Sequence, residues 1–196
     1  MPELDLRPAA ERMTRILAGI PDGALGDATP CPEYTVAGLV SHVDGFARAF
    51  TAAARKDLGP LTSTPPATTA ELPDGWREAA AAHLAGLGDA WLADEAWEGM
   101  TQAGGVDLPA AIAARVALDE LVVHGWDLAA ATGQRYDAAD DELATVEATV
   151  QQFRGGNDDA MPGLFGPVVA VSDDAPPLDR LLGLTGRDPR WTPTQT

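Results

Sequence analysis

Cysteine is nearly absent from this chain. Cys31 is the only one in 196 residues, which excludes an intrachain disulfide. No apolar run approaches the ~20 residues of a membrane-spanning helix. The N-terminal stretch MPELDLRPAAERM has neither a basic nor an apolar leader segment, so no secretory signal is expected there. Positive charge is also scarce: 13 Lys and Arg stand against 30 Asp and Glu, a formal net charge of −17. Such a surface repels nucleic acid and anionic membrane, so neither is expected as a partner. Gly104-Gly105 lacks the strand context and spacing of a phosphate-binding loop. There is no internal repeat, and no alternating pattern strong enough for a multi-stranded sheet. A reducing cytoplasm is the simplest setting. Oligomeric state is left at monomer or homodimer.

What the chain does have is helical periodicity and a hydrophobic content of 45%, enough for a real core. Asp5 is expected to cap a first helix with Ala9, Ala10, Met13, Ile16 and Leu17 on one face and Pro8 in its first turn. Thr35 caps a second helix running to about Lys56, with Leu39, Val43, Phe46 and Phe50 inward. Residues 57–70 are rich in Pro and Thr and read as an exposed connector. Asp74 opens a third helix carrying Trp76, Ala80, Leu84, Leu87 and Trp91, and 94–106 is a loop. A fourth helix is expected over Asp107–Thr132, capped by Asp107, with Gly133 left-handed beyond it. A fifth covers 140–154, with Leu143, Val146, Val150 and Phe153 inward. Val168–Val171 is extended with nothing obvious to pair with, and a short helix runs from Leu178 to Thr185. These elements predict an all-α fold: a four-helix bundle over 1–135 with a helical and extended C-terminal extension, 136–196, packed on it.

Three histidines in all leave few candidates for chemistry. Ile112, Val116, Glu120, His124 and Leu128 form one i,i+4 row, so a carboxylate and an imidazole interrupt an apolar stripe. His42 sits likewise beside Leu39 and Phe46. Buried ionisable groups are costly unless paired or bound to metal. Two His and one Glu could hold a divalent metal such as zinc with one position open. The alternative is a helix surface pair, Glu120–His124, and a satisfied core histidine. Asp127 either orients an imidazole or lies on the surface. Trp126 either packs at a helix interface or lines a ligand pocket. His83 is expected to be partly exposed and not a ligand, Asp44 to be solvated, and Cys31 to be a small packing residue. No Ser-His-Asp arrangement is supported.

Two segments and the chain's ending carry a family resemblance. TPCPEYTVAGLVSHV resembles the TPC-x-x-W-T-V-x-x-L-x-x-H segment of the mycothiol-dependent maleylpyruvate isomerase N-terminal-like proteins, within the DinB/YfiT-like superfamily. ALDELVVHGWDLA resembles their E-x3-H-x2-D segment, and LLGLTGRDPRW is similar to the ending of short actinobacterial members. The resemblance implies an antiparallel four-helix bundle with one divalent metal, zinc or nickel. Its ligands would be His42, Glu120 and His124, with water or substrate completing the shell. It also implies a thiol-transferase or isomerase type of enzyme using a low-molecular-weight thiol such as mycothiol on a small-molecule substrate. A metal-dependent hydrolase and a non-enzymatic metal- or ligand-binding protein are the rival readings. Tyr34 stands where the family usually has Trp, which alters the pocket wall. The sequence also ends short of the separate C-terminal domain of the true isomerases, which points away from maleylpyruvate isomerisation itself.

Overall fold

The structure, a computed structural model, describes residues 4–65, 71–161 and 163–193. Helix α1 spans Arg7–Ala18, with Pro8 in the first turn where a missing N–H costs nothing. Asp5 sits one residue before the cap position, which is Leu6. Its Oδ1 accepts the Arg7 backbone N–H at 3.0 Å and it pairs with the Arg7 guanidinium. Helix α2, Val36–Ala54, begins as expected: the Thr35 hydroxyl accepts the Gly38 N–H at 3.2 Å, satisfying one orphan donor of the first turn.

The connector departs from the sequence reading. Pro60–Ser63 forms a short helix, α3, and Thr62 in it is buried. The part of the expected connector at 66–70 lies outside the described residues. Helix α4 spans Trp76–Ala90 and is entered through Gly75 at φ 74°, not through Asp74.

In place of the end of the expected loop at 94–106 and the start of the helix expected from Asp107 there is a hairpin, so the described chain is not helical throughout. Strands β1, Met100–Ala103, and β2, Val106–Pro109, pair antiparallel with Ala103 opposite Val106. The two turn residues, Gly104 and Gly105, have φ of 58° and 83°, the positive values a two-residue hairpin turn demands. Asp107 lies in β2 and accepts from Gln102 Nε2 at 3.0 Å, so it caps no helix. The strands span four residues each, too short for alternation to stand out. The hairpin is anchored inward by Thr101, whose hydroxyl donates to the Ala53 carbonyl at 2.6 Å.

Helix α5, Ala110–Ala131, is the longest, and Gly133 beyond it is left-handed as expected. Helix α6 spans Asp140–Arg154. Its face buries Leu143, Val146 and Val150, but Phe153 is 37% exposed and Arg154 turns inward instead. Residues 168–171 form no strand; Val169 donates its N–H to the Gly183 carbonyl of helix α7, Pro177–Leu184.

Helix α2 packs mainly against α4 and α5, and α1 packs against the same two. The core lies between these four, with Met13, Leu17, Leu39, Phe46, Leu84, Leu87, Trp91, Leu118, Leu121 and Leu128 essentially inaccessible to solvent. Emptying such a site, as in Leu118→Ala, costs ~2–5 kcal/mol. Helix α6 packs on α5 and α7 on α6. Among the described residues no helix is long and apolar enough to cross a membrane.

Candidate metal centre

Helices α2 and α5 bring together the three side chains that the sequence singles out. His42 comes from the inner face of α2, and Glu120 and His124 from one face of α5, a turn apart. One carboxylate oxygen, Glu120 Oε2, lies 3.0 Å from His42 Nε2 and 3.2 Å from His124 Nε2. The imidazole rings stand nearly perpendicular, 85° apart, with centroids 5.0 Å apart. His42 Nδ1 is buried without a hydrogen-bond partner.

The other ring nitrogen of His124 is fixed. Nδ1 lies 2.9 Å from Oδ2 of Asp127, which is completely buried, so Asp127 is not a surface residue. A proton on Nδ1 directed at that carboxylate leaves Nε2 as a bare acceptor facing Glu120. Two acceptors 3.2 Å apart need a cation between them, either a proton or a metal. Burial alone would strip the charge from His124, but its hydrogen bonds to the Asp127 and Glu120 carboxylates, and their charges, outweigh it and raise its pKa to about 9. Burial alone would likewise raise the Glu120 carboxyl; the hydrogen bonds of His124 and His42 overcome it and hold the group well below the usual carboxylate range. The site therefore stabilises positive charge at the point where three donor atoms converge. All three lie within 4.8 Å of one another. Two imidazole nitrogens and a carboxylate oxygen are a donor set that suits zinc and its neighbours, and the residues present fit such an ion.

A second group, Cys31, His124 and Asp127, also has its donor atoms within 4.8 Å. It fits a cation less well. Burial pushes the Cys31 thiol up to about 11, and Asp127 is already engaged by His124 and by Arg187. Cys31 is buried, in keeping with a packing role.

The wall of the site comes from the loop before α2. Thr29 folds that loop on itself, its hydroxyl within 2.8 Å of the Cys31 carbonyl and 2.9 Å of the Tyr34 carbonyl. Tyr34 then stacks on His42, centroids 5.2 Å apart and planes 21° apart, and meets His124 edge-on at 6.4 Å. Phe46 meets His42 edge-on at 5.7 Å. Trp126 is buried on α5, and the ring contacts of His42 and His124 among the described residues are made by Tyr34, Phe46 and each other.

His83 lies elsewhere and is 40% exposed. Its Nδ1 is 2.7 Å from Asp44 Oδ1, so Asp44 is not simply solvated: it bridges from α2 to α4. Two residues escaped the sequence reading. Arg187 reaches back to Asp127, Nη2 to Oδ2 at 3.1 Å. Asp119, beside Glu120, has a buried oxygen without a partner, and burial together with the neighbouring Glu120 charge pushes its carboxyl up to about 7. The available clue to Arg187 was indirect: a buried Asp127 requires a cation.

Proteins from two strains of Mycobacterium tuberculosis, named as the uncharacterized proteins Rv0738 and MT0763, are each 31% identical over 191 residues, 93% of this chain and 95% of the relative. Crystal structures of the mycothiol-dependent maleylpyruvate isomerase and of a histidine-to-alanine mutant of it share the fold. Their TM-scores are 0.60 and 0.62, at 21% identity, covering 79% of this chain and 70% of the other. The family model described as "Mycothiol maleylpyruvate isomerase N-terminal domain" matches residues 6–129, which carry all three converging side chains. With that match over more than half its length, the chain belongs to the mycothiol maleylpyruvate isomerase N-terminal domain family.

Proposed function

We propose that this chain is a divalent-metal protein that works with a low-molecular-weight thiol such as mycothiol, adding its sulfur to an electrophilic carbon of a small substrate. The observation that carries the reading is the convergence of His42 Nε2, His124 Nε2 and Glu120 Oε2. Membership in a family named for mycothiol supports the choice of thiol. The pairwise packing of α1, α2, α4 and α5 supports an antiparallel four-helix bundle as the frame.

A bound zinc or nickel ion would supply Lewis acidity, favouring the thiolate form of a sulfur placed against it at neutral pH. The chain's own groups do the rest. His42, Glu120 and His124 would hold the ion, three ligands being the usual number where a thiol or water also binds. Asp127 keeps the His124 proton on Nδ1, so that Nε2 faces the ion. Tyr34, stacked on His42, limits how that ring turns and forms one wall of the site.

The test is cobalt substitution. Addition of mycothiol to the cobalt protein should produce a sulfur-to-cobalt charge-transfer band. The band should persist in Cys31→Ser, because Cys31 is not its source, and vanish in His42→Ala. Cobalt bound tightly with a spectrum that millimolar thiol leaves unchanged would overturn the thiol reading and put metal-dependent hydrolysis or simple ligand binding ahead.

A further inference from the structure

Beyond residue 129, where the family match ends, one side chain returns to the candidate metal centre. Arg187 follows α7, just past Gly186. Its guanidinium grips the Asp127 carboxylate with two donors, Nη2 to Oδ2 at 3.1 Å and Nε to Oδ1 at 3.4 Å. A third donor, Nη1, is spent on the Thr185 carbonyl at 2.8 Å, which ties the guanidinium to the end of α7. Both partners are buried: the Asp127 side chain is fully enclosed and that of Arg187 is 9% exposed. The same oxygen, Oδ2, receives Arg187 and His124 Nδ1.

The geometry points to Arg187 as the positioning residue of the metal centre, through which the C-terminal segment sets the orientation of His124. This rests on the metal reading above. A metal ligand must be neutral imidazole, so His124 brings no charge of its own to Asp127 once an ion is held at Nε2. A fully enclosed carboxylate then needs a cation directly on it, and among the described residues Arg187 is in contact with it. The two-donor grip also fixes the carboxylate plane, and with it the direction of the Nδ1–H bond and of Nε2 on the other side of the ring. Lysine, a point charge, supplies the cation without the fork.

The test measures cobalt(II) affinity by competition with a chelator, using the full chain and the variants Arg187→Met, Arg187→Lys, Asp127→Asn and the double variant. Arg187→Met should weaken cobalt binding about 10–100-fold, the range for groups that orient a ligand, and shift the cobalt d–d bands. Arg187→Lys should recover part of the loss. The double variant removes the buried pair together and tolerates its loss better than either single change. It should bind cobalt no worse than Asp127→Asn alone, because Arg187 acts only through Asp127. If wild type binds no cobalt, the metal reading itself fails. If wild type binds and Arg187→Met binds equally well with an unchanged spectrum, the inference is overturned while the metal reading stands. Losses that simply add in the double variant overturn it too, since they would come from packing. Should Arg187→Met not fold, the double variant decides alone: wild-type affinity and spectrum there overturn the inference.

Discussion

At the scale of single residues, the charge chain from Arg187 through Asp127, His124 and Glu120 to His42 governs behaviour. His42→Ala and His124→Ala should each lose most of the metal, as measured by elemental analysis, whereas His83→Ala should keep about one ion per chain, because His83 pairs with Asp44. A His83→Ala protein without metal would contradict this assignment. The metal-free protein should also respond to pH. His124 is raised from 6.5 to about 9 on folding, so its contribution to stability is complete below pH 6.5 and is lost as pH rises through 9. Glu120 is shifted the other way, so its contribution is held above the ordinary glutamate value of 4.5 and lost on acidification. Urea midpoints of the metal-free chain should therefore fall between pH 6.5 and 9.5, and metal should suppress the fall by taking the place of the proton on His124. Midpoints that stay flat across that window would show that His124 is not held charged. Sequence spacing placed Glu120 and His124 one turn apart; it could not choose between a buried and a surface Asp127, because that depends on what packs over α5.

Elements read less evenly. The five longer helices, α1, α2, α4, α5 and α6, were legible because a 3.6-residue apolar period persists over several turns, and Thr35 announced the start of α2. The hairpin was not, since four-residue strands leave too few alternations, although Gly104-Gly105 was its turn signal. On α6 the reading was one residue off at the end. Phe153 stays half out, while Arg154 enters and donates to the carbonyls of Leu184, Asn157, Asp159 and Gly166. Arg154→Met leaves those four carbonyls without their donor and should cost about 4 kcal/mol or more in chemical denaturation, given ~1–3 kcal/mol for each group left unsatisfied. A loss under about 1 kcal/mol would mean that water replaces the guanidinium there. Gly186 has φ 85° and would place a Cβ 2.6 Å from Gly166 Cα, so Gly186→Ala should destabilise by ~1–3 kcal/mol and loosen the segment that carries Arg187.

For the whole molecule, the apolar core between α1, α2, α4 and α5 is large and independent of any ion. Metal removal should leave helical circular dichroism essentially intact, and metal should raise the melting temperature by mass action, worth about 2.7 kcal/mol at a hundredfold excess over Kd. Collapse of the helical signal on chelation would instead make the site structural. The sequence by itself determined the helical character of the chain, most of its core positions and the pairing of Glu120 with His124 on one face, because helical periodicity is local and the row of neighbours at i+4 is set by backbone geometry alone. Only the tertiary structure decided that His42 from a helix 78 residues away meets the same carboxylate oxygen, that Asp127 is sealed from water, and that Arg187 returns from the far end of the chain to neutralise it. Those contacts join residues distant in sequence, and a carboxylate's need for a cation says that a partner exists without saying which arginine the fold will deliver.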